Sequence, residues 1–230
     1  MPRLLIVAVF CVLAAPAGAV TPGFVEDFTG GVAGFGGGST VTLVSSGGVG
    51  GAGDPYITIS NAGVSNLGAF SQSANFIGNL TASGVTGYSF WLRDTGADDP
   101  LEIHVGVGTP TNFWLSFFGF QPPTGSWQQF SVDVSSPSQW VQIIGTGTFS
   151  AALTGSDRLL FRHDVAPLIQ NPNAIAADFG LDRIQVLPAP PVSAVPAFSA
   201  AGRAALGVLL CAVVAFQLHR RSGLRRSPSP

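Results

Sequence analysis

The sequence predicts an all-β fold: an antiparallel β-sandwich of jelly-roll type, with an N-terminal signal helix and a C-terminal transmembrane helix at its two ends. Three observations carry this. Short segments of alternating apolar and polar residues recur between turn signals through the middle of the chain. Thirty glycines and a charged fraction of only 10% fit many short strands joined by tight turns. Between the two ends, no window of twelve or more residues shows the 3.6-residue period of an amphipathic helix.

The elements follow in chain order. Arg3 is the only charge before an apolar run over residues 4–15, and Pro16-Ala17-Gly18-Ala19 comes next. One positive charge, a hydrophobic run and an A-x-A ending make a secretory signal peptide over residues 1–19, cleaved after Ala19. The sandwich ectodomain then spans 20–187. Tyr88-Ser89-Phe90-Trp91-Leu92-Arg93 is a strand that ends at Asp94-Thr95-Gly96. Leu101, Ile103, Val105 and Val107 alternate with Glu102, His104, Gly106 and Gly108, which is the period of a half-buried strand. Residues 112–120 are densely aromatic and extended. Phe130, Val132 and Val134 alternate with Ser131, Asp133 and Ser135, and three more strands read over 140–144, 158–163 and 181–187.

A Pro-rich linker over 188–194 precedes a segment over 195–221, and a basic tail closes the chain over 222–230. The apolar stretch over 204–218 is about 22 Å long as a helix, short of a ~30 Å hydrocarbon core. Extended back to Ala197 it reaches roughly 33 Å and spans, with Arg203 snorkelling to the outer interface. Arg220 and Arg221, followed by Arg225 and Arg226, mark the cytoplasmic side. The ectodomain is therefore expected outside the cytoplasmic membrane.

Charge excludes one partner class. All twelve Asp and Glu lie between Val20 and Ala194 against only four arginines, an excess of eight negative charges. Such a domain repels phosphate backbones, so nucleic acid is not an expected partner. Cys11 falls in the signal peptide and Cys211 in the membrane segment. The exported domain must then be held by its core without disulfides.

Catalytic constellations are sparse. Arg162-His163-Asp164 contains a base beside a carboxylate, but neighbouring strand residues point to opposite faces. Carboxylates offer a different chemistry: Glu26 lies in the first strand, Asp182 in the last, and Asp54 follows a Gly-rich turn. Terminal strands of jelly rolls are often neighbours, and hard oxygen ligands suit Ca²⁺, so Glu26, Asp54 and Asp182 are candidate ligands of a structural calcium. Among the aromatics, Trp127 reads as core, while Trp114 and Trp140 are the candidates for a sugar-stacking platform.

Two resemblances add to this reading. Val195-Pro196-Ala197-Phe198-Ser199-Ala200-Ala201-Gly202, the apolar span and the arginines resemble the C-terminal sorting domains of exported Gram-negative proteins, the PEP-CTERM group and its relative IPTL-CTERM. Pro196, Ser199 and Gly202 match the I-P-T-L-S-x-W-G motif, and Val195 and Phe198 are conservative changes. Ala197 and Ala201 depart from it, and the glutamate of Pro-Glu-Pro is missing. The resemblance implies processing by an exosortase-type membrane protease. Residues 51–186 resemble the laminin B-like (laminin domain IV) sandwich, through Ala74-Asn75-Phe76-Ile77-Gly78-Asn79-Leu80, Gly87-Tyr88-Ser89-Phe90-Trp91-Leu92, Ser126-Trp127-Gln128-Gln129-Phe130 and Gly180-Leu181-Asp182-Arg183-Ile184. Arg183 replaces the asparagine of the terminal G-L-D-N-V pattern. The same features fit galactose-binding-like and carbohydrate-binding jelly rolls.

The expected protein is exported and sorted to the surface of a Gram-negative bacterium. It is non-enzymatic, with an adhesive or structural role in extracellular polymer. A carbohydrate-binding module is the alternative and a glycan-acting hydrolase the third reading. Expected partners are the membrane, the processing protease and polysaccharide.

Overall fold

The alternating segments pair into two six-stranded antiparallel sheets. The computed structural model describes residues 20–96 and 100–190. The expected signal peptide, the sorting motif (Val195, Pro196, Phe198, Ser199, Gly202), Arg220 and Arg221 lie outside the described residues, as do Asp98 and Asp99. No helix among the described residues is long and apolar enough to cross a membrane.

In chain order the strands are β1 (Val25–Glu26), β2 (Phe35–Gly36), β3 (Thr40–Val44), β4 (Tyr56–Ser60), β5 (Ser65–Asn66), β6 (Gly68–Ser71) and β7 (Val85–Asp94). They continue with β8 (Ile103–Thr109), β9 (Asn112–Ser116), β10 (Gln128–Asp133), β11 (Trp140–Gly145), β12 (Arg158–His163), β13 (Ala174–Ile175) and β14 (Asp178–Pro188). The first sheet runs β10-β7-β14-β4-β3, with β1 paired to β14; the second runs β11-β9-β8-β12-β6-β2. Strands β13 and β5 form a separate pair. The expectation that the first and last strands are neighbours holds, with Val25 opposite Gln185 and Glu26 opposite Ile184.

Strand parity builds the core. On β7, Tyr88, Phe90 and Leu92 point inward and are fully buried, and their partners on β10 and β14 follow the same parity. On β8 the inward set is Ile103, Val105 and Val107, as the alternation predicts, but His104, Gly106 and Gly108 on the outward parity are buried as well, so the strand is not the half-buried one expected. Phe90 of the first sheet meets Phe161 of the second edge-on at 4.9 Å, which locks the two layers through an aromatic contact worth about 1 kcal/mol beyond area burial.

Two irregularities interrupt the ladders. Between Gly106↔Leu115 and Ile103↔Phe120 the β8–β9 ladder gains two residues, and Phe117 and Phe118 bulge out to 53% and 66% exposure. The extended stretch expected over 112–120 therefore ends as a strand at Ser116. On β14 the register shifts between Asp182 and Gln185, and Arg183 takes the left-handed conformation at φ 45°. One short helix, α1 (Phe149–Thr154), is capped by Thr148, whose hydroxyl accepts from Ala151 N. It buries Phe149 and Leu153.

Candidate functional site

Register assigns the outward face of the second sheet as firmly as the inward one. Directly opposed residues share a face, so Gly106 of β8 places Leu115 of β9 and Leu160 of β12 on the outside with it. Phe70 of β6, opposite Leu160, joins them, and so does Phe113 of β9, opposite Gly108. An antiparallel sheet normally turns polar residues to water on its free face. Here the outer face is floored by phenyl and aliphatic groups over glycine. A Cβ at Gly106 would stand 2.6 Å from Phe113 and 3.1 Å from Leu160, so only glycine lets these two side chains close over the strand.

A depression of about 100 Å³ opens on this floor, lined by Phe70, Phe113, Ile144, Leu160 and Arg158 among others. The Arg158 guanidinium lies over the Phe70 ring at 4.8 Å, and its Nε donates to Asp157 Oδ1 at 3.0 Å. Its two terminal nitrogens make no hydrogen bond among the described residues, which leaves a planar donor fork facing the depression. Arg162, also lining it, is almost completely buried and donates to Asp164 Oδ2, Ile169 O and Gln170 O. Burial lowers its pKa, and the Asp164 charge opposes that shift. Its Nε is buried without a partner.

Both histidines among the described residues are buried. His104 is fully buried, with Nδ1 against Ser116 O at 2.7 Å and Nε2 against Glu102 Oε1 at 3.1 Å. His163 Nδ1 accepts from Glu102 N at 3.2 Å and makes no hydrogen bond to Asp164. Burial holds His163 below its ordinary 6.5, against the raising effect of Asp164 and Glu102. As strand parity required, Asp164 pairs with Arg162 and does not orient His163 as a base.

The platform expected at Trp114 and Trp140 is not there. Trp140 is 5% exposed, stacks on Phe149 at 5.1 Å and 28°, and donates its indole N–H to Asp133 O at 2.9 Å. Trp114 stands opposite Val107, on the inner face, and packs on Phe149 while donating to Asn112 Oδ1. The cause is α1, whose Phe149 closes over both rings. Trp127, expected in the core, lies instead on the outer face of the first sheet, half-buried over Gly180 and beside Tyr56. The Arg93 guanidinium stands 4.8 Å from the Tyr56 ring and 4.9 Å from Trp127.

Of the three expected calcium ligands, the structure brings two together. Asp182 and Asp54 converge beside Gly48, whose Cβ would lie 2.6 Å and 2.8 Å from their Oδ2 atoms. Asp182 accepts from Val49 N at 2.8 Å and Arg183 N at 2.7 Å; Asp54 accepts from Gly50 N and, at 3.4 Å, from the Arg183 guanidinium. Glu26 instead accepts from Phe28 N at 2.9 Å, and no group of three His, Cys, Asp or Glu converges among the described residues. Calcium takes six to eight oxygens. Two carboxylates already bonded to N–H donors, with a guanidinium beside them, do not fit that shell.

The outer face of the second sheet was readable from the strand itself. In Arg158-Leu159-Leu160-Phe161-Arg162-His163, the set Arg158, Leu160 and Arg162 alternates with the core set Leu159 and Phe161. An apolar Leu160 on the polar parity is the signal.

Solved structures with this arrangement of strands exist. A stretch of an exo-beta-agarase superposes with a TM-score of 0.50 at 12% identity, over 75% of this chain and 25% of that one. The likeness is one of fold. The family 11 carbohydrate-binding module of a Clostridium thermocellum cellulase gives 0.48 at 16% identity, over 74% of this chain and 96% of the module. The CBM22-1 xylan-binding domain of Paenibacillus barcinonensis Xyn10C gives 0.44 at 13%, over 75% and 100%. No family model matches the chain and no curated protein matches it, so the laminin B-like and sorting-domain resemblances stand as resemblances.

Proposed function

We propose that this chain is an exported, non-catalytic β-sandwich that binds glycan on the outer face of its second sheet. One observation carries the reading: an apolar depression on the outer face of the second sheet is lined by the half-buried Phe70 and Leu160 over an almost fully buried Phe113, and Arg158 offers two uncommitted guanidinium nitrogens at its rim. A pyranose has an apolar C–H face and a hydroxyl edge. An apolar floor takes the first and a planar fork of N–H donors takes the second. The carboxylates flanking this face are already engaged, Glu102 with His104 and Asp157 with Arg158. That supports binding over hydrolysis, which needs two carboxyl groups facing one bond.

The location belongs to the same proposal. The signal peptide over 1–19 and the sorting segment over 195–221 take the sandwich outside the cytoplasmic membrane, where polysaccharide is the available polymer. This keeps an adhesive or structural role in extracellular matrix as the consequence of glycan binding. Affinity electrophoresis through gels containing neutral polysaccharides tests the binding: retardation of the wild-type chain that is lost in Arg158→Ala supports it, and equal mobility of both in every gel removes it. Fractionation of cells with and without an exosortase tests the sorting. Release of the C-terminal fragment only with the enzyme supports it, and an intact tail in both refutes it.

A further inference from the structure

The outer face of the first sheet carries a tryptophan whose indole N–H has no partner among the described residues. Trp114, Trp127 and Trp140 each donate the indole N–H within the chain, to Asn112 Oδ1, Gly47 O and Asp133 O. Trp91 donates to nothing among the described residues, and its ring makes no aromatic or cation contact there. It sits on the outward parity of β7, half-buried, directly across from Gln129 on β10 and Asp182 on β14. One step along the strand, about 7 Å away, Ser89 stands opposite Ser131 and Gln185 on the same face. A shallow depression of about 600 Å³ lies beside Trp91 and does not include it, with Ser89, Gln129, Ser131, Gln185 and Leu187 in its lining together with Phe120 and Phe130. Gln129 and Ser131 are exposed and make no side-chain hydrogen bond among the described residues.

The chemistry of this face selects a ligand class. Its groups are an indole face with a free donor, the Gln129 amide and the Ser131 hydroxyl, together with Ser89, whose hydroxyl donates to Gln185 Oε1 at 3.5 Å; all are uncharged. The charged neighbours are committed elsewhere: Asp182 to Val49 N and Arg183 N, Arg183 to Asp54, and Arg93 to Tyr56 Oη between two rings. The exposed cation nearest this face, Arg183, stands beside the carboxylates of Asp54 and Asp182, which disfavour a uronate or sulfate there.

We infer that Trp91, with Gln129, Gln185, Ser89 and Ser131, binds a neutral polysaccharide chain. This site is separate from that on the second sheet, so one domain holds two chains. A pyranose stacks its C–H face on the indole, and the amides and hydroxyls meet the hydroxyl edge of the adjoining unit. The two faces lie on opposite sides of a sandwich whose sheets pack ~10 Å apart, too thick for one sugar unit to touch both. The consequence is cross-linking of polymer, with avidity gained wherever two strands of it run close.

The test uses the full-length chain and a panel of soluble probes: β-glucan, xylan and galactomannan as neutral polymers, alginate and polygalacturonate as anionic ones. Affinity electrophoresis reads binding, and turbidity of the polymer solution reads cross-linking. Trp91→Ala is expected to lower cross-linking of a neutral polymer at least tenfold while retaining retardation through the second sheet. Gln129→Ala, a change at an exposed position that leaves packing alone, is expected to act in the same direction, and unchanged melting shows both variants are folded. Trp91→Ala without effect on either readout overturns this site and leaves the proposal for the second sheet standing. Loss of all retardation in Trp91→Ala, with none in Arg158→Ala, places the only glycan contact at Trp91 and overturns both the second-sheet reading and the two-chain inference. Binding confined to anionic polymers overturns the neutral class.

Discussion

Val49 donates its peptide N–H to Asp182 Oδ2 at 2.8 Å, and so ties a glycine-rich loop to the last strand across 133 residues of sequence. The second carboxylate oxygen takes Arg183 N at 2.7 Å. A buried carboxylate that serves two backbone donors leaves both unpaired when it is removed. Asp182→Ala is therefore expected to cost about 2–4 kcal/mol, measured by urea denaturation. A loss below about 1 kcal/mol would show that water replaces both contacts.

The same carboxyl sets a pH dependence. Burial raises Asp182 to about 6 from the ordinary 3.8, against the lowering effect of Val49 and Arg183 N–H and with a further rise from Asp54. The folded state then holds the proton more tightly than the unfolded chain. The stability this gives is complete below pH 3.8 and is lost as pH rises through about 6. His163, held below 6.5, works in the opposite sense: its contribution is complete above 6.5 and is lost as pH falls below that through its depressed folded value. Comparing wild type with Asp182→Asn cancels the histidine. The stability difference between them is expected to move in favour of the variant from about pH 4 to about pH 7, and a flat difference would refute the assignment.

Arg183 separates charge from conformation. Its pair with Asp54 is 3.4 Å long and its side chain is 42% exposed, so Arg183→Ala is expected to lose less than about 1 kcal/mol from the ion pair. Its φ of 45° favours glycine. Arg183→Gly should consequently melt above Arg183→Ala, by a difference of about 1 kcal/mol. The reverse order would show that the left-handed backbone at this position holds no strain that glycine relieves.

Calcium is expected to be without effect. Since Asp54 and Asp182 are already bonded to N–H groups and Glu26 is bonded elsewhere, neither EDTA nor millimolar Ca²⁺ should shift the melting temperature. A rise of several degrees with Ca²⁺, reversed by EDTA, would contradict this.

Much of the sandwich was legible in the chain because its signal is local. Alternation over 101–107 gave both strand identity and the inward set, 158–163 was legible as a strand, and the neighbourhood of the two terminal strands followed from the jelly-roll form. Trp114 and Trp140 were not legible as core. Each sits in a strand, but what covers them is Phe149, on a six-residue helix too short to give a periodic signal. Glu26 failed as a ligand for a related reason: strand adjacency brings backbones together, while the carboxylate direction depends on Phe28 N two residues on. Trp91 was within reach, since Ser89, Trp91 and Arg93 alternate with Tyr88, Phe90 and Leu92.

Trp140 provides a control for this reassignment. Truncating a stacked, 5% exposed indole leaves a cavity against Phe149. Trp140→Ala is expected to destabilise by about 3–5 kcal/mol while the folded fraction binds glycan unchanged. Weakened binding with intact stability would restore it as a ligand contact.

Glycan binding on the outer face of the second sheet can be read residue by residue, by mapping amide chemical shifts during titration with a neutral oligosaccharide. Binding there predicts shifts clustered at Phe70, Gly106, Phe113, Arg158 and Leu160. Shifts that avoid all five residues, or none at saturating sugar, would contradict it.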